Sequence, residues 1–118
     1  MSYDLLSEVS DEPLSVSTQD IQELKRLRES EKFTDLPGTD TTAEQARLSQ
    51  AFNELLDRLI AGTLDNPSKL WVLSQFKSTL EAVQMGDTEG REHFGEHLEQ
   101  VMDILHIESS DGLLGFYL

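Results

Sequence analysis

The sequence predicts an all-α fold, an up-and-down bundle of about four helices. Four stretches repeat apolar residues every three or four positions, which is the spacing of one helix face. Turn or capping residues bound these stretches, and no run alternates apolar and polar residues for long enough to require a strand. A chain of 118 residues with 37% hydrophobic residues can bury one modest core. We therefore expect a single helical domain over residues 18–118. Its last part is a short C-terminal helix or tail.

The first 17 residues differ in composition from the rest of the chain. They hold four acidic residues, five serines and no basic residue. Leu5, Leu6 and Val9 could form one amphipathic turn, but Pro13 would interrupt a helix. Residues 1–17 are therefore predicted to be a flexible acidic arm rather than a core element.

The first helix is predicted from Thr18 to about residue 31. Its apolar residues Ile21, Leu24 and Leu27 are spaced three residues apart, so they lie on one face. Ser17 or Thr18 supplies the N-cap, because a hydroxyl oxygen can accept a hydrogen bond from a free amide of the first turn. A loop with Pro37-Gly38 at its turn follows.

The second helix has the clearest start in the chain. Thr41 and Glu44 have the spacing of a capping box, and Gly62 is placed to end the helix. The apolar residues of its inner face are Leu48, Ala51, Phe52, Leu55, Leu56, Leu59 and Ile60.

The third and fourth helices follow after short connections. Asn66 as cap and Pro67 as first helical residue open the third helix, and Gly86 ends it. Its predicted inner face consists of Leu70, Leu73, Phe76, Leu80 and Val83. The fourth helix begins near residue 87 and extends to about residue 106, with an inner face of Phe94, Leu98, Val101, Met102 and Leu105. Ser110 or Asp111 is the predicted cap of the terminal helix.

Charge and composition exclude several classes of function. The formal net charge is -14 and the pI about 4.3, so both nucleic-acid phosphates and an anionic membrane surface would be repelled. The sequence has no cysteine and hence no disulfide, zinc-thiolate site or catalytic thiol. Its start shows neither a signal peptide nor a membrane span. We expect a cytoplasmic protein that binds neither nucleic acid nor membrane directly.

One sequence motif suggests metal chemistry. His93-Phe-Gly-Glu96-His97 has the spacing of the H-x-x-E-H motif, in which two histidines on one helix face bind a metal ion. Such a site needs a further carboxylate well downstream and a large cleft, and only 21 residues follow His97. The helical spacing instead places both histidines at the boundary of the apolar face. We predict no enzyme activity, no metal and no cofactor, since no phosphate-binding loop or nucleophile motif is present either.

The strongest candidate site is a row of acidic residues on the fourth helix: Glu89, Glu92, Glu96, Glu99 and Asp103. They are spaced three or four residues apart, opposite the apolar face. Residues 87–111 hold eight acids and one arginine, a local net charge of -7. An ordinary exposed face gains about 0.2–0.5 kcal/mol from each pair of opposite charges, whereas like charges lose similar amounts. The row is either an ordinary solvated face or a surface that binds a basic partner.

Two apolar features have the same ambiguity. Trp71 points away from Leu73 and Leu80, toward an uncharged part of the third helix. It is either covered by the arm or the first helix, or it anchors a partner, as tryptophan does in many interfaces. The C-terminal cluster contains Leu113, Leu114 and residues 116–118; it either packs back on the bundle or mediates self-association.

The second half of the chain resembles a family of small, uncharacterised bacterial helical proteins. The resemblance rests on LLDRLIAG, NPSKLWVLSQF, TLEAV, EGREHFGEHLEQVMDIL and ESSDGLLG, from Leu55 onward. In size, helicity and acidity the chain is also similar to immunity proteins, which neutralise toxins exchanged between competing bacteria. Neither resemblance implies a catalytic or binding residue.

The function predicted from the sequence is that of a non-catalytic acidic binding protein. The leading hypothesis is an immunity or inhibitor protein that covers a basic surface of a bacterial toxin or nuclease. Its contact residues would be the five acids of the fourth helix and Trp71. The alternatives are a DNA mimic that competes for a DNA-binding enzyme, a structural or adaptor protein that forms a homodimer through residues 113–118, and an enzyme that uses His93 and His97.

Overall fold

The computed structural model describes residues 9–30, 41–82 and 88–114, without the side chains of residues 41, 42, 44 and 88–91. These residues form four helices, in the order α1 (Thr18–Glu29), α2 (Thr41–Gly62), α3 (Lys69–Ala82) and α4 (Thr88–Ile104). The described ranges contain no strand, apart from one isolated β-bridge between Pro13 and Ser68. The all-α class is therefore confirmed.

Helix α2 is the centre of the bundle. It packs against α1, α3 and α4, and α1 also packs against α4, whereas α3 and α4 do not form a packed pair in the described residues. The predicted inner faces of α2 and α4 are buried, except for Ala51 and Ile60 of α2, which are half-buried. Ile107 and Leu113, beyond α4, complete the core.

Helix α1 begins as predicted. The Ser17 hydroxyl accepts a hydrogen bond from the Asp20 amide at 3.2 Å, and the Asp20 carboxylate accepts one from the Ser17 amide at 3.0 Å. This reciprocal pair is a capping box. The capping box predicted for Thr41 and Glu44 lies outside the described side chains.

Helix α3 begins two residues later than predicted. Its cap is Ser68, whose hydroxyl accepts a hydrogen bond from the Trp71 amide at 3.1 Å. Pro67 lies before the helix, where its carbonyl accepts a hydrogen bond from the Leu14 amide at 2.7 Å. The segment before α3 bonds to the arm and is not helical, which the local sequence did not reveal.

Two further details of α3 differ from the prediction. The Asn66 amide and side-chain nitrogen both donate to the Gly62 carbonyl, so Asn66 completes α2 instead of starting α3. Leu70, predicted on the inner face, is half-buried, while Val72 and Thr79 are buried. Leu73, Phe76 and Leu80 are buried as predicted, and Val83 lies outside the described residues.

The arm is held to the bundle over residues 9–17, which we call the docked arm. The Asp11 carboxylate accepts hydrogen bonds from the Ser68 hydroxyl and the Leu70 amide, both at 3.0 Å. The Glu12 carbonyl accepts a hydrogen bond from the Lys69 amide at 2.9 Å. The docked arm thus satisfies the Lys69 and Leu70 amides, which the N-terminus of α3 leaves free. The flexibility of residues 1–17 stays a prediction. Residues 1–8 lie outside the described part.

Helix α4 ends in a Schellman motif. The Ile107 amide donates to the Met102 carbonyl at 2.8 Å, and the His106 amide donates to the Asp103 carbonyl at 3.3 Å. His106 adopts a φ of 64°, at the position where glycine is usual. The motif turns the chain back toward the bundle at Leu105.

The chain becomes helical again at Leu113. The Leu114 amide donates to the Ser110 hydroxyl at 3.3 Å, but Asp111 and Gly112 with positive φ values lie between Ser110 and the helix, so neither Ser110 nor Asp111 is the residue directly before it as predicted. Leu113 is buried and Leu114 half-buried, so this part of the C-terminal cluster packs on the bundle. Residues 115–118 lie outside the described part, and with them the rest of the predicted cluster.

Gly62 is required by the close approach of Trp71. A Cβ atom at position 62 would lie 2.7 Å from the Cζ2 and Cη2 atoms of the indole, a rigid ring that would have to shift as a whole. We expect Gly62→Ala to lower the free energy of unfolding by about 1–3 kcal/mol, the cost of overpacking. Urea unfolding followed by far-UV circular dichroism measures it.

The control is the same substitution in a Trp71→Leu background. There the clash is absent, so Gly62→Ala should cost much less than in the wild-type background. An equal cost in both backgrounds would show that the indole contact is not the reason for the glycine.

Candidate functional site

Four carboxylates form one exposed surface of α4. Glu92, Glu96, Glu99 and Asp103 are all exposed, and we call them the acidic face. They lie on α4 opposite Phe94, Leu98, Val101 and Leu105, which are buried. Glu89, the fifth predicted member, belongs to α4, but its side chain is not described. The four described members thus share one exposed face of α4, and their role in binding stays a prediction.

Basic side chains pair elsewhere. Among the described side chains, the ion pairs that involve Lys or Arg are Arg26–Glu23, Arg28–Asp57, Lys69–Asp111 and Lys77–Glu81. On the acidic face, Glu96 lies 4.0 Å from His93 Nδ1, a pair that is ionic only when the histidine is protonated. The acidic face therefore presents its negative charge to solvent without Lys or Arg pairing in the described part of the chain.

An open cavity of about 310 Å³ adjoins the acidic face. Glu99 and Asp103 form one side, and the chain after α4 forms the other with Glu108, Ser109 and Ser110. Met102, Ile107 and Leu114 contribute the apolar part of the lining. Sequence reasoning missed the second side, because this side forms only when the Schellman motif turns the chain back after α4. Glycine is the usual sign of such a motif in a sequence, and here His106 takes its place.

The two histidines of the H-x-x-E-H motif lie at the boundary of the apolar face, as predicted. Both are half-buried. The His97 ring packs on Phe52 with 5.6 Å between ring centroids, and its Nδ1 lies 3.0 Å from the Gln100 side-chain oxygen. Within the described residues, no group of three or more potential ligands could hold a metal ion.

Trp71 lies apart from the acidic face. It is half-buried and packs against the core, with its indole over Gly62 at the end of α2. Since Trp71 belongs to α3, which is not packed against α4 in the described residues, the structure does not join the two halves of the predicted site.

Polar side-chain contacts join the helices of the bundle. Arg58 of α2 donates to the Gln75 side-chain oxygen at 3.0 Å and to the Thr79 hydroxyl at 2.6 Å, which joins α2 to α3. His106 Nε2 lies 3.1 Å from the Asp20 carboxylate, which joins the end of α4 to the start of α1. Sequence reasoning missed both contacts, since neither has a local signal.

Asp20 and Asp111 should make the fold sensitive to acid. The Ser17 amide, and then His106, hold the pKa of Asp20 below its ordinary value of 3.8. Hydrogen bonds from Lys69 and Ser10 lower the pKa of Asp111 in the same way. A lowered pKa in the folded state means that the stabilisation is complete above about 3.8 and is lost as the pH falls through the folded pKa.

We therefore expect the urea midpoint to decrease as the pH is lowered through this range. Asp20→Asn should reduce the decrease, because the titrating group is gone. Asp65→Asn, at an exposed position between α2 and α3, is the matched control. If both variants reproduce the wild-type pH profile, Asp20 does not contribute to acid sensitivity.

The fold and the site together define a small all-α protein with an acidic helical face. The model of a family described as a domain of unknown function, DUF4844, matches residues 15–118, so the chain belongs to that family. No curated protein and no solved structure matches the chain. The match begins inside the docked arm, after Asp11 and Glu12, which accept hydrogen bonds from the first amides of α3.

In the part of the chain that the structure describes, every helix is too short or too polar to cross a bilayer.

Proposed function

We propose that this protein is a non-catalytic binding protein whose acidic face contacts a basic surface of another protein. The observation that supports it is the row of four exposed carboxylates on α4, which no described Lys or Arg side chain neutralises. Like charges at helical spacing reduce the stability of an isolated helix. A partner of opposite charge offsets this cost and associates faster through electrostatic attraction.

The specific proposal is an immunity or inhibitor protein that neutralises a toxin or nuclease in the cytoplasm. Nucleases bind a polyanion and therefore carry basic surfaces. A protein with a net charge of -14 is suited to cover such a surface, and the attraction makes capture rapid. The cavity beside Glu99 and Asp103 adds a concave part to the contact surface.

Affinity capture at two salt concentrations tests this proposal. The tagged full-length chain is used to retain proteins from its own cells at low and high salt, and mass spectrometry identifies them. We expect a basic protein that is retained at low salt and depleted at high salt. Adding duplex DNA as a competitor tests for a DNA-binding target.

Two outcomes would contradict the proposal. Retention of only further copies of this chain would indicate a self-associating adaptor protein and leave the acidic face as an ordinary solvated surface. If the partners are retained equally well at low and high salt, the contact is formed by apolar surface instead. Half-buried Trp71 would then be the first residue to examine.

A further inference from the structure

Three separate segments of the chain meet at the carboxylate of Asp111. Its Oδ2 atom lies 2.8 Å from Lys69 Nζ at the start of α3. The same oxygen accepts a hydrogen bond from the Ser10 amide of the docked arm at 2.9 Å. Asp111 itself belongs to the segment of residues 105–112, which we call the C-terminal loop.

We propose that Asp111 is a conformational link: its carboxylate joins the docked arm to the C-terminal loop, so that these two segments open together. Because the C-terminal loop carries Glu108, Ser109 and Ser110, the link controls one side of the cavity beside the acidic face. The inference does not depend on which partner, if any, the acidic face binds.

The docked arm is suited to open locally. Residues 10–13 are exposed, and Val9, Leu14 and Val16 are only half-buried at the edge of the core. The buried core residues begin at Ile21, so the arm itself contributes no fully buried side chain to the core against which it packs. A segment with few buried apolar contacts opens at a lower free energy than the whole domain.

The C-terminal loop depends on the same carboxylate. Asp111 and Gly112 adopt φ values of 53° and 93°, a conformation that side chains other than glycine, asparagine and aspartate rarely accept. Lys69 is 6% exposed, so its ammonium group needs the counter-charge that Asp111 provides. Loss of the carboxylate leaves both the buried ammonium and the Ser10 amide without this acceptor.

Hydrogen exchange followed by NMR on the full-length chain tests the link. The amides of Leu14 and Lys69 report on the arm, since they bond across the arm and α3. The amides of Leu113 and Leu114 report on the C-terminal loop, since both bond to Ser110. We expect Asp111→Asn to accelerate exchange at both pairs by about tenfold or more, because the ion pair with Lys69 is lost and the remaining amide oxygen is a weaker acceptor than the carboxylate.

Ser10 provides a sharper comparison. Ser10→Pro removes the amide that donates to Asp111, whereas Ser10→Ala keeps it. If the link exists, Ser10→Pro accelerates exchange at Leu113 and Leu114, about a hundred residues away in sequence, and Ser10→Ala does not. This pair also decides the question if Asp111→Asn fails to fold.

Acceleration by Ser10→Pro at the arm amides alone would overturn the proposal. That result would show that the arm and the C-terminal loop open independently. Equal effects of Ser10→Pro and Ser10→Ala at the loop would also overturn it, since the amide would then not be the group that matters.

Discussion

Replacing Glu92, Glu96 and Glu99 by lysine is expected to weaken binding of the captured partner by about tenfold to a hundredfold. Each exposed ion pair contributes about 0.2–1 kcal/mol, and the substitution replaces three attractions by repulsions. The loss should be largest at low salt, where screening is weakest. The dissociation constant measured by titration calorimetry at two salt concentrations gives the effect directly.

The matched control reverses three exposed acids away from the acidic face. Glu29, Glu54 and Asp65 lie in α1, in α2 and after α2, and their replacement by lysine changes the net charge by the same amount. We expect the control variant to bind with nearly wild-type affinity. Far-UV circular dichroism verifies that both variants remain helical. Equal weakening by the two variants would show that net charge, and not the acidic face, determines binding.

Replacing Phe52 by alanine is expected to lower the free energy of unfolding by about 3–5 kcal/mol. Phe52 is fully buried in α2, and its ring meets the edge of Phe94 of α4 at 5.6 Å between centroids. On another side it packs on His97. Truncation therefore leaves a cavity at the contact between the central helix and the helix that carries the acidic face. Urea unfolding followed by circular dichroism measures the loss.

Leu64→Ala is the control for Phe52→Ala. Leu64 is 46% exposed, so its truncation should change the free energy of unfolding by less than about 0.5 kcal/mol. A cost below about 1 kcal/mol for Phe52→Ala would contradict the described packing of α2 against α4.

The helices and their buried faces were predictable because their signals are local. Leu48, Phe52 and Leu55 on α2, and Phe94 and Leu98 on α4, follow the helical repeat and are fully buried. The periodicity alone determines which face is apolar, and it identified the opposite face of α4 as exposed and acidic.

The departures from prediction arise from contacts between segments that are distant in sequence. Helix α3 begins at Lys69 because Leu14 of the docked arm bonds to the Pro67 carbonyl, and Asp11 bonds to the Leu70 amide. The local capping signals favour Asn66 and Pro67 as the start of the helix. They contain no information about the bonding partners in the docked arm. The burial of Lys69 likewise depends on Asp111, far along the chain.

The candidate site was predictable in part for the same reason. The acids of α4 follow from helical spacing, whereas the cavity beside them requires the chain to reverse after Leu105. His106 adopts the left-handed conformation there without being glycine, so the sequence lacks the usual stop signal. Glu108 and Ser110 were thus recognisable as polar residues, but not as neighbours of Asp103.

The most direct test of the binding surface is zero-length cross-linking of the complex with the captured partner. A carbodiimide joins a carboxylate to a lysine amine only where the two are in contact, and mass spectrometry locates the joined peptides. We predict cross-links from Glu92, Glu96, Glu99 or Asp103 to lysines of the partner, and none from Glu29, Glu54 or Asp65. Cross-links confined to acids outside α4 would show that the acidic face is not the contact surface.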